Sequence, residues 1–291
     1  MRWCRWAVGC LTAAAAIAMA GNALVGARQL QLPLGPKGRT GHSATPAYEG
    51  WYQNPDGSFN LLFGYYNRNQ TQALDIPVGP NNRIEPGGPD YGQPTHFLPH
   101  RQWGVLTITV PKDFGSRTLT WTIVANGQSM SVPVGIIPVY VVEPLRDAAM
   151  GNSPPLLRFT PSGPAYSGPP RGTVESLDVT MPNQAALTVW LSHEPGWKPE
   201  LAGAAGLPKE MMAPELSLSW SKYRGPGHVM FDHDKPQIDK QDGKATTLAT
   251  FSAAGEYVVR GQVNDNAGDG GGGFQCCWTN ALVKVSVKPP R

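Results

Sequence analysis

Thr118-Leu119-Thr120-Trp121-Thr122-Ile123-Val124-Ala125-Asn126-Gly127-Gln128-Ser129-Met130-Ser131-Val132-Pro133-Val134 decides the fold class. Leu119, Trp121 and Ile123 share one face of an extended strand, and Thr118, Thr120 and Thr122 take the other. Asn126-Gly127 supplies the two residues with φ > 0 that a type I′ hairpin turn needs. Met130, Val132 and Val134 then carry the apolar face back along a second strand. Nothing in the stretch has a helical period.

The same alternation extends outward. Phe59, Leu61, Phe63 and Tyr65 form one apolar face, as do Leu106, Ile108 and Val110. No segment before residue 144 carries a convincing helical period, so residues 44–143 are expected to form a β-sandwich of roughly 100 residues. Residues 144–172 change character, with Pro144, Pro154, Pro155, Pro161, Pro164, Pro169 and Pro170 among several glycines. Such a stretch is neither a regular helix nor a central strand. It reads as a linker, or its Leu156-Leu157-Arg158-Phe159 as the first edge strand of the next domain. Period two then resumes over 173–288, in Leu187, Val189 and Leu191; Leu216, Leu218 and Trp220; Thr247, Ala249 and Phe251; Tyr257, Val259 and Val263; and Val283, Val285 and Val287. In the last of these, Lys284, Ser286 and Lys288 occupy the wet face.

Composition agrees. Charged residues make up 15% of the 291-residue chain, and 34 glycines with 29 prolines punctuate the apolar stretches, as sheet proteins with many turns require. The length beyond the first ~27 residues exceeds one ordinary sandwich, which makes two domains the expectation.

Those first 27 residues read as a secretory signal. Arg2 and Arg5 give a basic start, Ala7 to Ala20 an alanine-rich apolar run, and Ala18-Met19-Ala20 and Val25-Gly26-Ala27 two small-residue cleavage sites. The apolar run is short for a membrane span, and Cys10 comes too early to serve as a lipid-bearing cysteine. The expected location is periplasmic or secreted, with no membrane span after cleavage. Net charge is +3 for the whole chain and +1 without the signal, and no lysine or arginine run is present. Nucleic acid is therefore excluded as a main partner, since its recognition needs a clustered basic face.

A resemblance emerges in the second half. Leu216-Ser217-Leu218-Ser219-Trp220-Ser221-Lys222-Tyr223-Arg224-Gly225-Pro226-Gly227-His228-Val229-Met230-Phe231 resembles the W-x-x-x-x-GPG-x-V-x-F region of polycystic-kidney-disease-type (PKD-like) immunoglobulin-fold repeats. Thr250-Phe251-Ser252-Ala253-Ala254-Gly255-Glu256-Tyr257-Val258-Val259-Arg260 resembles the F-x-x-x-G-x-Y-x-V/L segment that comes next in such repeats, and Asn264-Asp265-Asn266 stands where they carry a short Asp-containing turn. The likeness spans about 180–288 and departs from the pattern by an insertion around 195–213 and a long final loop. It implies an all-β chain of two immunoglobulin-like β-sandwich domains in tandem after the signal peptide. It also implies a spacer, adhesive or binding role on an exported protein. The first domain resembles no family.

Candidate sites emerge from residue chemistry. Cys276 and Cys277 are the two cysteines outside the signal, set in the glycine-rich loop 264–278, and exported proteins seldom keep free thiols. Adjacent Cα atoms lie ~3.8 Å apart, below the usual ~4.4–6.8 Å disulfide range, so a vicinal disulfide demands a strained turn. That bond is the leading expectation, beside buried thiols, an intermolecular bridge and soft-metal binding. Phe274 and Trp278 would give the loop an apolar, ligand-contacting tip. Asp265, Asn266 and Asp269 offer oxygen ligands for calcium, without the spacing of a twelve-residue calcium loop; otherwise no cofactor is expected. Asp232, His233, Asp234 and His228 form another polar cluster, which reads as a turn before it reads as a metal site. His96 and His100 have helical spacing, but Pro94 and Pro99 argue against a helix.

In the first domain, Trp51, Tyr52, Tyr65 and Tyr66, with Tyr91, lie among amides and acids, the pattern of a glycan-stacking surface. Alternation sends at least half of them into the core. There is no G-x-S-x-G, H-E-x-x-H or P-loop, and no spacing marks a catalytic residue. The expectation is a non-enzymatic binding or structural module of the cell envelope, engaging an envelope protein or a glycan. The alternatives are a carbohydrate-recognising accessory protein using the first-domain aromatics, and a secreted hydrolase with an unfamiliar site.

Overall fold

The computed structural model describes residues 38–142, 153–193, 216–265 and 277–290. The signal segment 1–27 lies outside them. The first half contains β1 (Ala44–Gln53), β2 (Phe59–Asn67), β3 (Leu74–Asp75), β4 (Asn82–Glu85), β5 (His96–Phe97), β6 (His100–Val110), β7 (Thr118–Ala125) and β8 (Gln128–Gly135). A 3₁₀ turn over Pro138–Tyr140 comes after β8. The second half contains β9 (Leu156–Arg158), β10 (Thr173–Thr180), β11 (Ala185–Ser192), β12 (Ser217–Arg224), β13 (Val229–Phe231), β14 (Lys244–Phe251), β15 (Gly255–Asn264) and β16 (Trp278–Lys288). The architecture is all-β, with two immunoglobulin-like sandwiches in tandem. Among the described residues no helix is long and apolar enough to cross a membrane.

The first sandwich packs the sheet β1-β2-β6 on the sheet β4-β7-β8, with β3 and β5 paired beside them. Alternation produces this directly: Leu119, Trp121 and Ile123 are buried, and β7 turns into β8 through Asn126 (φ 49°) and Gly127 (φ 72°). Phe63 of β2 meets Trp121 of β7 edge-on, with ring centroids 6.0 Å apart, and Tyr65 meets Phe97 at 5.0 Å. Removing a buried ring of this size costs about 3–5 kcal/mol.

The second sandwich packs β10-β16-β15-β12 on β13-β14-β11-β9. β10 runs parallel to β16, while β9 pairs with β11 as an edge strand. Leu218, Trp220, Val259, Val263, Val283 and Val285 fill the core between them. The Tyr257 hydroxyl donates to Ala253 O (2.9 Å) and accepts from Gly227 N (3.0 Å), closing the corner before β15. Gly225 (φ 141°) belongs to that corner because a Cβ there would overlap the Tyr257 ring.

The sandwiches meet along a seam more polar than either core. Tyr223 and Leu282, from the second half, complete the first hydrophobic core. The Tyr223 hydroxyl lies 2.8 Å from Gly92 O and 3.0 Å from Val105 O. Lys222 pairs with Asp75 at 2.9 Å. Arg224 holds both oxygens of Asp90, at 2.7 and 3.1 Å, a bidentate geometry that lysine does not offer. Buried Arg260 reaches Gln102, and Asn280 donates to Trp103 O (3.1 Å) and Gly104 O (2.9 Å).

Glu49 shapes the first-sandwich side of this seam. It occupies a bulge in β1, where the register with β2 shifts between Tyr48 and Gly50. Its buried carboxylate crosses above Gly64 of β2 to meet Arg101 of β6 at 2.5 Å and the Gly104 amide at 2.7 Å. A Cβ on Gly64 would overlap both the Glu49 and Arg101 side chains and stand 2.5 Å from Gln102 O. Burial pushes the Glu49 pKa up to about 7, with Arg101 and the Gly104 amide pulling the other way. Gly104 (φ 50°) presents a bare backbone to the Trp278 ring, which a Cβ would overlap.

Candidate functional site

The residues after β8 build an apolar crest. Gly135-Ile136-Ile137-Pro138-Val139-Tyr140-Val141-Val142 carries no charged side chain. Proline at the start of the 3₁₀ turn presets φ and forgoes a donor. Tyr140 N donates to Ile137 O (2.9 Å), Val141 N to Pro138 O (3.3 Å) and Val142 N to Trp51 O (2.9 Å). The last of these lays the chain beside β1, with Trp51 and Val141 bridged in parallel. Gly50 (φ 115°) permits the approach, since a Cβ there would stand 2.6 Å from Val142 Cγ1 and 2.7 Å from Tyr140 O.

Aromatic groups from β1 and β2 hold the crest from below. The Tyr48 and Tyr140 rings lie 5.0 Å apart, and the Tyr48 hydroxyl donates to Gly135 O at 2.5 Å. Burial, with the neighbouring Tyr140, raises the Tyr48 pKa well above its ordinary value, so the hydroxyl stays a donor. The Trp51 indole donates to Ile137 O at 2.7 Å and meets Phe59 edge-on at 5.5 Å. Backbone bonds and stacked rings thus fix side chains that face water: Val139 is 85% exposed, Val141 59%, Tyr140 46% and Ile137 40%. Among the described residues, Met230 is the one other large hydrophobic group exposed to this degree. Four such groups in five residues form an unusual concentration of wet apolar surface. Covering each fully would contribute about 1.5–3 kcal/mol to an association, before its entropic cost.

The aromatic residues singled out by sequence divide between core and surface. Tyr52, Tyr65 and Trp278 are buried, while Trp51 and Tyr66 are half-buried. The Tyr65 hydroxyl accepts from Leu98 N (2.8 Å), and burial pushes its pKa up to about 12. Trp51 alone of the set joins the crest. Phe274, Cys276, Asn266 and Asp269 lie outside the described residues. Asp265 is buried, with its amide on Cys277 O (3.2 Å). Cys277 is buried and disulfide-bonded, its partner lying outside the described residues.

The polar clusters resolve into local structure. Asp232 accepts from Thr247 Oγ1 (2.6 Å), Leu248 N (2.8 Å) and His233 N (2.7 Å). The Thr247 hydroxyl, then the Leu248 amide, hold its carboxyl down at about 2. His96 pairs with Asp75 at 2.9 Å rather than with His100, and burial keeps its imidazole below the usual range despite that carboxylate. Among the described residues, no three His, Cys, Asp or Glu side chains gather as a metal site.

Reading the sequence for strand periodicity missed Ile137, Val139, Tyr140 and Val141. The available signal was an apolar run, broken only by proline, that succeeds a strand without alternating.

No family model matches the chain, and no curated protein matches it. Among solved structures, it is similar to "Solution structure of the PKD domain from KIAA 1837 protein", at 17% identity over 40% of this chain and 84% of that one, with a TM-score of 0.23. It is also similar to "Titin Ig tandem domains A164-A165", at 10% identity over 85% of this chain and 99% of that one, with a TM-score of 0.22. These names belong to the PKD-like and immunoglobulin-like families that residues 180–288 resemble.

Proposed function

We propose that this chain is an exported, non-enzymatic binding module of the cell envelope, periplasmic or secreted, whose crest enters an apolar groove on another envelope protein. The two-sandwich fold fits a binding or structural module. The basic and apolar leader with its small-residue cleavage sites supports export. The observation that carries the contact surface is the concentration of exposed Ile137, Val139, Tyr140 and Val141 on a backbone pinned to β1. Branched aliphatic groups such as Ile137, Val139 and Val141 suit a protein groove better than a sugar, which asks for flat rings and hydrogen-bonding partners. The glycan reading of the first-domain aromatics retains Trp51, Tyr66 and Tyr91 as half-exposed rings, and the Tyr91 hydroxyl is already engaged with Pro86 O. The Trp51 indole N–H is already engaged with Ile137 O.

Replacing Val139 by a photoreactive phenylalanine, in the exported chain in its own cells, tests this directly, with Lys240 as the control position. The expected result is one crosslinked envelope protein at position 139 and none at 240. The purified partner should then lose about tenfold or more in affinity for Val139→Asp, the loss of one buried apolar anchor. Equal crosslinking at both positions, or unchanged affinity, would overturn the reading.

A further inference from the structure

The outer face of the sheet β13-β14-β11-β9 carries an arrangement independent of the crest. Alternation in β11 turns Leu187, Val189 and Leu191 into the second core and leaves Ala186, Thr188 and Trp190 on the wet side. Register then sets two rows across that face. Arg158, Trp190 and Lys244 stand abreast on β9, β11 and β14, and Thr188 stands opposite Thr246. The rows are open to solvent: Lys244 and Thr246 are exposed, and Arg158, Trp190 and Thr188 are half-buried. Beside them lies an open hollow of about 310 Å³, lined by Gln237, Ile238, Asp239, Lys244 and Thr246.

The two cations of the first row differ from the others in this sandwich's strands. Lys222 pairs with Asp75, Arg224 with Asp90, Lys284 with Glu256 and Lys288 with Asp178, while Arg260 reaches Gln102. Among the described residues, Arg158 and Lys244 are not paired with an acid. Arg158 Nη1 donates to Ser192 Oγ (3.3 Å), and Lys244 Nζ lies 5.7 Å from the centre of the Trp190 ring. Asp239 and Asp242, on the loop before Lys244, instead accept from Gln241 N (2.7 Å) and Lys244 N (2.9 Å). An indole is thus bracketed by two uncompensated cations, next to a pair of hydroxyls 3.0 Å apart.

We propose that this face binds a uronate polysaccharide, a chain of sugar rings that carry carboxylates. The indole offers apolar surface to the C–H face of a ring. Arg158 and Lys244 supply charge-assisted hydrogen bonds to carboxylates, and Lys244, the exposed member, is free to swing from the ring to its anion. The Thr188 and Thr246 hydroxyls and the Gln237 amide both donate and accept, as sugar hydroxyls do. Neighbouring strands lie ~4.8 Å apart, so the backbones of Arg158 and Lys244 stand roughly 10 Å apart with Trp190 midway. That separation suits a polymer whose carboxylates recur rather than a single small anion. An acidic peptide would offer the carboxylates without the sugar ring between them.

The test is calorimetric titration of the full mature chain with tetragalacturonate, tetramannuronate and hyaluronan tetrasaccharide, each in its own arm. A binder is then compared with its methyl ester, which keeps the rings and removes the charge, and with tetraglutamate, which keeps the charge and removes the rings. Lys244→Gln and Trp190→Ala are titrated beside Lys284→Gln, the same loss of charge on the opposite sheet. The expected outcome is saturable binding of at least one uronate, weakened about tenfold by either of the first two variants and unchanged by the third. The methyl ester and tetraglutamate should each bind about tenfold more weakly or worse. Lys244 is exposed, so its variant carries the test even where Trp190→Ala fails to fold. Absence of binding up to about 10 mM would overturn the proposal. Equal binding of the methyl ester or of tetraglutamate would overturn it too, as would equal losses in Lys244→Gln and Lys284→Gln.

Discussion

The crest and the seam invert the usual rule in opposite directions. At the crest, apolar side chains face water; at the seam, Glu49 and Arg260 are buried. Both depend on a glycine where backbone must come close, Gly50 beneath the crest and Gly64 beneath Glu49. Both also grow from one short piece of β1. Tyr48 and Trp51 brace the crest, while Glu49, in the bulge between them, reaches the seam. The bulge is what lets neighbours in one strand serve two regions. Burying charge consumes stability and so must be compensated in place by partners, whereas exposing valine costs the fold little. The seam should therefore be fragile to substitution and the crest tolerant.

The sharpest way to break that contrast is Gly64→Ala. Its methyl would displace the Glu49–Arg101 pair and press on Gln102 O, so a loss of about 3 kcal/mol is expected in urea unfolding. A loss under about 0.5 kcal/mol, the range of an ordinary surface change, would mean that the crossing carboxylate is not needed.

A smaller effect is expected from pH. The Glu49 pKa is raised in the fold from 4.5 to about 7, so the folded state holds its proton more tightly than the unfolded chain. The associated stability is complete below about pH 4.5 and disappears as pH rises through 7. Its size is on the order of 1–3 kcal/mol. Unfolding midpoints measured from pH 5 to 8 should fall in the native chain and flatten in Glu49→Gln; parallel slopes would remove Glu49 as the cause.

The smallest effect belongs to the crest. Val139→Asp should leave stability within about 0.5 kcal/mol of the native chain, because the side chain is 85% exposed. A larger loss, read by thermal unfolding, would show that the crest is part of the core rather than a surface set upon it.

What was legible in the sequence was local. Alternation and Asn126-Gly127 announce the β7–β8 hairpin because strand period and turn chemistry act over a few residues. The Trp220, Gly225 and Tyr257 pattern likewise announces the second sandwich. The adjacent pairs Trp51-Tyr52 and Tyr65-Tyr66 illustrate the limit. Period two places one ring of each pair inside: Tyr65 shares the apolar face of Phe59, Leu61 and Phe63 and is buried as that pattern says, but at Trp51-Tyr52 the partner sheet decides, and Tyr52 is the buried member. Glu49 and Arg101 lie 52 residues apart, and Asn280 and Gly104 176 apart. No local pattern encodes such meetings. Exposure at Val139 was equally hidden, since an apolar run reads as core until the fold shows nothing above it.

Leu282 completes the hydrophobic core of the first sandwich although it stands almost at the end of the chain, and Tyr223 does the same from β12. As residues emerge in order from amino to carboxyl end, the earlier sandwich must therefore wait with part of its core uncovered until the last strand arrives. The order of synthesis and the order of completion are thus opposed. A chain halted before residue 282 would carry every strand of the first sandwich and still lack its closing side chain.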